Sequence, residues 1–374
     1  MKLGVPNQSR QGETRVAIVP EVVRRLERLA VEVVVEPGAG ELAHHADSEY
    51  EEAGAAIGDP WGADVVAVVR APDADQIGRL GGDSVLVGFL APLTDADTTR
   101  ALAQQGVTAF AVEAIPRISR AQSMDALSSQ ASLAGYRAVL LAGLGLPRFF
   151  PMLTTAAGTI KPASVLVLGA GVAGLQAIAT AKRLGAVVTA FDVRAVVKEQ
   201  VESLGARFLE LNLDADAEGA GGYARELGED EQQRQRDALA EAAGRFDVAI
   251  TTAQIPGRPA PLLLTAQAVE NMKPGSVIVD LAGESGGNCE LSEAGQTVER
   301  HGVTIMAPTN LPAEMPDHAS QLYARNVAAL LELMVEDGNL TLDFEDEVIA
   351  GACVTRGGEI VHEGAKRAAG APAA

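Results

Sequence analysis

The chain has 374 residues, a formal net charge of −20, 47% apolar residues and 3% aromatic residues. This length predicts about two domains, and the scarcity of aromatic residues predicts an aliphatic α/β core. The negative charge argues against nucleic acid or an anionic membrane surface as a partner. We find no uncharged apolar run of about 18 residues and no signal-peptide core near the N-terminus, so we expect no membrane span and a cytoplasmic location.

The first third of the chain alternates short apolar runs with helical segments, which predicts βα units and a mainly parallel sheet. Residues 15–19, 31–35, 64–69 and 84–90 are predicted strands, and residues 21–29 and 95–104 are predicted helices. We find no convincing phosphate loop in this region, because residues 37–40 (PGAG) are too short for one and are typical of a turn. Residues 126–146, rich in Ala, Leu and Ser, predict a long connecting helix.

A dense group of polar residues lies where the first region meets this helix. Such groups beside a cofactor domain often hold a substrate or the reacting end of a cofactor. The alternative is a solvated helix start with local capping by Ser or Asp. The group consists of Arg117, Arg120, Gln122, Asp125, Ser128, Ser129 and Gln130.

Residues 164–194 (SVLVLGAGVAGLQAIATAKRLGAVVTAFDVR) contain the most specific motif of the chain. A short apolar strand precedes Gly169, Gly171 and Gly174, a helix and a second strand follow, and Asp192 ends that second strand. In this context the glycines let the backbone approach a pyrophosphate at the helix N-terminus, and the acid binds the adenosine ribose. Because its carboxylate would repel a 2′-phosphate, Asp192 predicts NAD(H) rather than NADP(H). The alternative is a glycine turn and a strand-end acid without a ligand.

The remainder of the glycine-motif domain predicts strands at residues 248–252, 277–281 and 304–307. Residues 214–231 (DADAEGAGGYARELGEDE) are acidic, rich in glycine and without a hydrophobic period, so we interpret them as a mobile surface loop. Tyr223 within it suggests a lid over a cofactor site, the alternative being a passive insertion. Residues 321–336 predict an amphipathic helix, and residues 366–374 (KRAAGAPAA) predict a disordered tail.

The two cysteines, Cys289 and Cys353, lie in different regions of the chain. No cluster of Cys and His has metal-ligand spacing, so neither a disulfide framework nor a metal site is predicted. We interpret both thiols as small apolar residues.

Several long motifs together resemble one family, the NAD(H)-binding α-subunit component of proton-translocating NAD(P) transhydrogenase. The first two are residues 113–139 (EAIPRISRAQSMDALSSQASLAGYRAV) and residues 165–206, which include the glycine motif. The resemblance continues through GGYARELG, DVAITTAQIPGRPAPLL, MKPGSVIVDLAGESGGNCELSE and GACVTR, and covers nearly the whole chain. With the βα pattern it implies an α/β protein of two Rossmann-like doubly wound domains with mainly parallel sheets, joined by long helices with a cleft between them. The expected domains are residues 1–126 plus 319–374, and an NAD(H)-binding domain of residues 127–318.

The resemblance assigns the reacting end of the cofactor to the polar group. It implies that Arg117 pairs with Asp125, that Ser128 bonds the carboxamide, and that Gln122 reaches toward the ribose and a second nicotinamide. Tyr223 matches the tyrosine of the family's mobile loop, which closes over bound nucleotide. Hydride transfer between two nicotinamides needs positioning and exclusion of water rather than a nucleophile or a general base, so the lack of His and Cys in this group is compatible with it.

The remaining implied contacts surround the glycine motif. Val172 matches the pyrophosphate turn, and Asp192, Val193 and Arg194 match the adenosine-binding acid and its neighbours. Further nucleotide contacts are implied for Gly222, Gln235 and Gln254, the last at a position where many members have an apolar residue.

The resemblance also implies partners. NADP(H) would be bound by a partner subunit, proton translocation would occur in membrane-spanning subunits, and this chain would be a homodimer. It would then lie on the cytoplasmic side of the inner membrane without inserting into it.

Alanine dehydrogenase is the first alternative, because it shares this fold and Arg15 is common to both families. That family also uses a lysine after an early strand and a histidine after the next, whereas here the first position is Arg70 and the histidine has no counterpart after Phe89. Glu284 also stands near a position where an aspartate is expected. Without the histidine, oxidation of an amine lacks acid–base help. The second alternative is a non-catalytic NAD(H)-sensing subunit, against which the complete nicotinamide motif argues.

Overall fold

The computed structural model describes residues 1–10, 12–211 and 228–370. The chain divides into two compact units. The first comprises Met1–Gln130 and Pro312–Ala374, and the second comprises Ala131–Leu311.

Strands and helices alternate along most of the described chain. The strands are β1 (Lys2–Val5), β2 (Glu32–Val35), β3 (Ala56–Ile57), β4 (Val65–Arg70), β5 (Val85–Phe89), β6 (Thr108–Ala111), β7 (Leu153–Thr155), β8 (Gly158–Ile160), β9 (Ser164–Leu168), β10 (Val187–Phe191), β11 (Arg207–Phe208), β12 (Val248–Thr251), β13 (Val277–Asp280), β14 (Thr297–Arg300), β15 (Val303–Met306), β16 (Val335–Glu336), β17 (Asn339–Leu340), β18 (Cys353–Arg356) and β19 (Glu359–Ile360). The α-helices are α1 (Pro20–Glu27), α2 (Asp47–Glu52), α3 (Ala74–Arg79), α4 (Ala96–Gln105), α5 (Ala126–Gly145), α6 (Val172–Arg183), α7 (Lys198–Ser203), α8 (Glu229–Ala243), α9 (Ala266–Asn271), α10 (Pro316–Met334), α11 (Glu347–Ala352) and α12 (Glu363–Ala368).

The first unit is built on an eight-stranded sheet in the order β19-β18-β6-β5-β4-β1-β2-β3. Strands β1 to β6 pair in parallel, and β18 and β19 extend one edge in antiparallel pairings. The first six strands therefore follow the doubly wound order 3-2-1-4-5-6. Because parallel strands are covered on both faces, β4 is buried along most of its length, with Val65, Ala67 and Val69 packed on one face and Val66 and Val68 on the other.

The second unit is built on a seven-stranded sheet in the order β11-β10-β9-β12-β13-β15-β14. All neighbours pair in parallel except β14 and β15. This is again the order 3-2-1-4-5-6, with β14 added at the edge. Val165 and Val167 of β9 face one core layer, whereas Leu166 and Leu168 face the other. The predicted fold class, α/β with mainly parallel sheets in two Rossmann-like domains, is confirmed.

The sequence mislocates one strand of the first unit. Residues 15–19 are not a strand, because Val16 N–H donates to Ser320 Oγ of α10 and the carbonyl of Ile18 accepts from Tyr50 Oη. The apolar residues of this run are buried, but Val16 and Ile18 have side-chain partners, and the Val19 carbonyl accepts from the first turn of α1 rather than from a strand. Strand β1, which was not predicted, occupies the place between β2 and β4.

The predicted disordered tail is wrong for its first residues. Lys366 lies within α12, a helix anchored by the fully buried Ala365 and capped by His362, whose Nδ1 accepts from Ala365 N–H at 3.1 Å. Residues 371–374 lie outside the described residues of the chain.

The predicted acidic loop needs a similar correction at its end. Glu229, Asp230 and Glu231 form the first turn of α8, and the Glu231 carboxylate accepts from Gly228 N–H at 2.9 Å. Acidic residues favour the N-terminus of a helix, so the last residues of the acidic run are a helix start. Residues 212–227 lie outside the residues that the structure describes.

Candidate functional site: a dinucleotide-binding turn and a polar segment

The carboxyl ends of the parallel strands in the second unit meet at one edge of its sheet. Gly169 follows β9, Asp192 follows β10, and residues 252–254 follow β12. The strand order reverses between β9 and β12, which are hydrogen-bonded neighbours. Open α/β sheets bind their ligands at such a reversal, outside the carboxyl ends of the strands.

The three glycines of the turn serve three different purposes. Gly169 has φ of +97°, a conformation that L side chains rarely adopt. A Cβ atom on Gly174 would lie 1.9 Å from the Gly169 carbonyl oxygen, so this glycine permits the close packing of α6 on the turn. A Cβ atom on Gly171 would meet nothing within 4 Å, so the backbone there is open to an approaching ligand.

The N-terminus of α6 opens at this turn. Helix α6 begins at Val172, which is 41% exposed, directly after Gly171. The first N–H groups of a helix lack partners within it and carry partial positive charge, which makes them an anion site. Thr252 Oγ1 donates to the Gly169 carbonyl at 3.1 Å and fixes the turn against the end of β12.

Asp192 is buried beside the turn, with its side chain 6% exposed. Its Oδ2 accepts from Ala170 N–H at 2.7 Å and from an Arg194 Nη at 2.8 Å. Its Oδ1 accepts from the backbone N–H and from Nε of Arg194, both at 2.9 Å. The acid that the sequence places at the adenosine ribose is thus also a clamp on the glycine turn and the partner of Arg194.

Asp280 and Asn288 are two positioning residues that sequence reasoning missed. Asp280 is fully buried at the end of β13, and its carboxylate accepts from Asn288 N–H at 2.9 Å and Cys289 N–H at 3.0 Å. The Asn288 amide in turn donates to the carbonyls of Ala253 and Pro261, which holds the loop after β12. The signal was an acid at the end of an apolar strand, VIVD, as in the AFD at the end of β10.

The remaining predicted nucleotide contacts are distributed around the same unit. Gln254 is exposed after β12, where its amide donates to the Leu281 carbonyl at 2.9 Å, and Gln235 lies buried on α8. Val193 separates Asp192 from Arg194. Gly222 and Tyr223 fall outside the residues that the structure describes, so their roles stay predictions.

In the first unit the strand order reverses between β1 and β4, and a side chain occupies that position. Gln8, 5% exposed, follows β1, and its Oε1 accepts from Val69 N–H at 2.7 Å and Arg70 N–H at 3.2 Å of β4. Its Nε2 donates to the Arg70 carbonyl at 2.8 Å. The first sheet therefore has the strand order of a nucleotide-binding unit, but a glutamine fills the place of the open glycine turn.

The polar segment of the first unit forms a 3₁₀ helix, Ser119–Met124, followed by α5. Asp125 precedes α5 and accepts from Ser128 N–H at 2.8 Å and from Ser128 Oγ at 2.6 Å. The capping geometry expected for an ordinary helix start is therefore present. Arg117 and Gln122 are exposed on the same segment.

Long-range contacts anchor this segment at both ends. Arg120 forms two hydrogen bonds, of 2.7 and 2.8 Å, to the carboxylate of Asp346, and this pairing lowers the Asp346 pKa to about 2. Ser129 Oγ donates to Asn326 Oδ1 at 2.7 Å, and Asn326 Nδ2 donates back to the Ser123 carbonyl at 2.9 Å. These contacts hold in place the backbone between them, which carries the predicted nicotinamide-binding residues.

Two buried acids of the first unit were not singled out from the sequence. Glu13, fully buried, binds the Arg15 guanidinium through both carboxylate oxygens at 2.8 Å, and Arg15 donates to Gln130 Oε1 at 2.9 Å. Glu113 accepts through Oε1 from Leu90 N–H at 2.9 Å and Ala91 N–H at 2.6 Å, while its Oε2 is buried without a partner among the described residues. Burial raises the pKa of Glu113 to about 7.

Neither cysteine is suited to nucleophilic chemistry. Cys289 and Cys353 are free and buried, and burial raises the pKa of each thiol to about 11.

The strand order, the open glycine turn and the acid after β10 define a dinucleotide-binding unit of the Rossmann type. Family models agree: residues 4–134 match the alanine dehydrogenase/PNT N-terminal domain, and residues 138–363 match the alanine dehydrogenase/PNT C-terminal domain.

Individual relatives narrow this class. An NAD(P) transhydrogenase subunit alpha component of Rhodospirillum rubrum is 51% identical over 97% of this chain and 98% of its own length. The NAD(P) transhydrogenase subunit alpha of Haemophilus influenzae is 44% identical over 96% of this chain and 71% of its own length. The crystal structure of a transhydrogenase from Sinorhizobium meliloti superposes with a TM-score of 0.88 at 45% identity, covering 96% of this chain and 100% of that chain. The chain therefore belongs to the alanine dehydrogenase/PNT family and, within it, to the NAD(P) transhydrogenase alpha subunits.

Alanine dehydrogenases are more distant relatives. The alanine dehydrogenase of Bacillus subtilis is 29% identical over 98% of this chain and 94% of its own length.

Proposed function

We propose that this chain is the NAD(H)-binding subunit of a proton-translocating transhydrogenase and presents NADH to NADP⁺ held by a partner subunit. The reaction is NADH + NADP⁺ → NAD⁺ + NADPH, in which a hydride leaves C4 of one nicotinamide and bonds to C4 of the other. The observation that carries the proposal is the open turn at Gly171 beside Asp192, in a chain whose relatives are transhydrogenase alpha subunits.

Binding of the nucleotide is assigned to the second unit. The pyrophosphate lies against the N-terminus of α6 at Gly171 and Val172, where the helix N–H groups compensate its charge. The adenosine ribose binds Asp192, whose carboxylate favours NAD(H) over a nucleotide with a 2′-phosphate. Further contacts come from Val193, Arg194, Gln235, Gln254 and Gly222.

The dihydronicotinamide is assigned to the polar segment of the first unit. Arg117, Gln122, Asp125 and Ser128 orient its ring and carboxamide, and Tyr223 closes over the bound nucleotide. The transferred hydride belongs to the nucleotide, so the protein contributes alignment and exclusion of water rather than proton transfer. The capping bonds of Asp125 and the Arg120–Asp346 pair support this role, because they fix the backbone that carries these side chains.

The remaining functions of such an enzyme require other polypeptides. Across residues 1–10, 12–211 and 228–370, no helix has both the length and the apolar character needed to cross a membrane. We assign proton translocation to membrane-spanning partners and NADP(H) binding to a partner domain. The chain then acts on the cytoplasmic face of the membrane as a homodimer.

The proposal is tested by mixing the purified chain with a purified NADP(H)-binding domain of a bacterial transhydrogenase. Transfer from NADH to thio-NADP⁺ is followed through the absorbance of the reduced thionicotinamide. L-alanine with NAD⁺ is assayed in parallel with the chain alone.

We expect rapid transfer that requires both proteins and no reaction with alanine. Alanine-dependent formation of NADH would contradict the proposal in favour of alanine dehydrogenase. Tight binding of NADH with neither activity would contradict it in favour of a sensor.

A further inference from the structure

The Asp192 carboxylate has no acceptor site left for a ribose. A carboxylate offers about four lone-pair positions, and four donors lie on it at 2.7 to 2.9 Å, one from Ala170 and three from Arg194. Two of these donors are backbone N–H groups, of Ala170 in the glycine turn and of Arg194 after β10, and they remain in place. A ribose diol can bind Asp192 only where Nε and Nη of Arg194 have left it.

The guanidinium that must leave is the group that recognises phosphate best. Arg presents a planar fork of donors that matches phosphate oxygens, and in NADP(H)-binding Rossmann units an Arg near the end of the second strand accommodates the 2′-phosphate. In this chain that Arg is two residues from the acid and is bound to it, with its side chain 13% exposed.

We propose that Arg194 is a latent receptor for a 2′-phosphate, which Asp192 keeps occupied. The inference rests on the proposed nucleotide site in the second unit. Asp192 then excludes NADP(H) in two ways, by direct repulsion of the phosphate and by neutralising the guanidinium placed to receive it. Preference for NAD(H) is a property of the Asp192–Arg194 pair rather than of the acid alone.

Removing only the charge of Asp192 abolishes both its repulsion of a phosphate and its neutralisation of Arg194, while the glycine turn keeps its fold. In Asp192→Asn the amide oxygen can still accept from Ala170 N–H, so the clamp on the glycine turn is kept. The amide no longer holds the guanidinium by an ion pair, which leaves Arg194 able to bind an anion. Asp192→Ser, which keeps an oxygen acceptor in a smaller side chain, is a second variant with the same expectation.

The experiment measures dissociation constants of NADH and NADPH for the intact chain by isothermal titration calorimetry. Wild type is compared with Asp192→Asn, Asp192→Ser, Asp192→Asn combined with Arg194→Ala, and Asp247→Asn. Asp247 is a matched control, because it is also a partly buried acid of the second unit paired with an Arg, Arg148, at 3.2 Å. It precedes β12 and bonds Ser164 at the start of β9, so it lies at the opposite edge of the sheet from the turn.

We expect Asp192→Asn to bind NADPH about tenfold more tightly than wild type and NADH about tenfold more weakly. The gain for NADPH should disappear when Arg194→Ala is added, and Asp247→Asn should match wild type. A gain that survives removal of Arg194, or no gain in either Asp192→Asn or Asp192→Ser, would overturn the inference while leaving the proposed function intact, provided that wild type binds NADH. If wild type does not bind NADH, both the inference and the proposed function fail.

Discussion

At the scale of single residues, Glu113 couples the stability of the first unit to pH. Its carboxyl group is buried near the ends of β5 and β6, and burial raises the pKa from 4.5 to about 7. The unfolded chain ionises this group at the lower pKa. The free energy of unfolding therefore falls as pH rises from about 4.5 to about 7, and stays level above that range.

Glu113→Gln should remove this dependence, because its amide oxygen can still accept from Leu90 and Ala91 without a buried charge. Between pH 5.5 and 8.5 we expect wild type to lose roughly 2 kcal/mol relative to the variant, from about 1.4 kcal/mol for each pH unit below the raised pKa. Urea unfolding of both proteins at the two pH values measures this difference. Parallel pH profiles would show that Glu113 does not titrate in this range.

Asp125 tests whether the polar segment positions the nicotinamide. Asparagine caps a helix about as well as aspartate, so Asp125→Asn should leave α5 folded. We expect hydride transfer to thio-NADP⁺ to slow about tenfold to 100-fold while the dissociation constant of NADH changes less than about threefold. Stopped-flow single turnovers and calorimetry measure the two quantities.

The matched control for Asp125 is Asp95→Asn. Asp95 caps α4 in the same way, with its carboxylate accepting from Thr98 N–H at 3.0 Å. It should leave both transfer and binding unchanged. Equal losses of transfer and of binding in Asp125→Asn would argue against a positioning role.

At the scale of elements, two glycines of the unit β9–α6 have different roles. Gly174 allows α6 to pack on the turn, whereas Gly171 leaves space for a ligand. Gly174→Ala would drive a methyl group into the Gly169 carbonyl, 1.9 Å from the Cβ position, so it should destabilise the second unit by about 3 kcal/mol. Gly171 is the N-cap of α6, with φ of −76° and open space around it, so a methyl group meets no clash there. Because Ala is a poorer N-cap than Gly, Gly171→Ala should cost about 1 kcal/mol, which is well below the cost of Gly174→Ala.

The affinity for NADH should depend on Gly171, the glycine that matters less for stability. The Gly171→Ala methyl group occupies space that a pyrophosphate needs, and we expect about tenfold weaker NADH binding in a protein that remains folded. Thermal unfolding and calorimetry report on the two variants. Normal NADH affinity in Gly171→Ala would contradict the placement of the pyrophosphate.

At the scale of the whole molecule, the second unit exposes a concentrated apolar surface. Leu144 is 86% exposed, Met152 64%, Phe149 51% and Ile160 49%, all between the end of α5 and the end of β8. Large apolar side chains this exposed, four of them within 17 residues of chain, are typical of association sites. We propose that a second copy of the chain covers them in the proposed homodimer.

Introducing charge into this surface should therefore disrupt the proposed dimer. We expect Leu144→Glu with Phe149→Glu to weaken dimerisation about 100-fold or more, as measured by sedimentation velocity, without loss of NADH binding. Leu42→Glu is the control, since Leu42 is 46% exposed but lies in the first unit. An unchanged dimer in the double variant would show that the copies meet elsewhere.

The sequence was sufficient where structure depends on residues close together along the chain. The glycine spacing, the helix after it and the acid after the second strand form one local unit, and the structure has β9, α6 and β10 at the predicted positions. The parallel sheets also followed from the βα alternation. Residues 15–19 were wrongly predicted as a strand. An apolar run indicates that its side chains are buried, but it does not indicate which groups its backbone bonds to.

Only the tertiary structure decided which distant residues these local units contact. Arg15 meets Gln130 across 115 positions, Arg120 meets Asp346 across 226, and Asn288 orders the loop after β12. It also showed that Gln8 closes the reversal in the first sheet, whereas the glycine turn leaves the one in the second sheet open. Local periodicity and spacing are written into neighbouring residues and can be read from them, but a hydrogen bond between distant side chains exists only once folding has brought them within about 3 Å of each other.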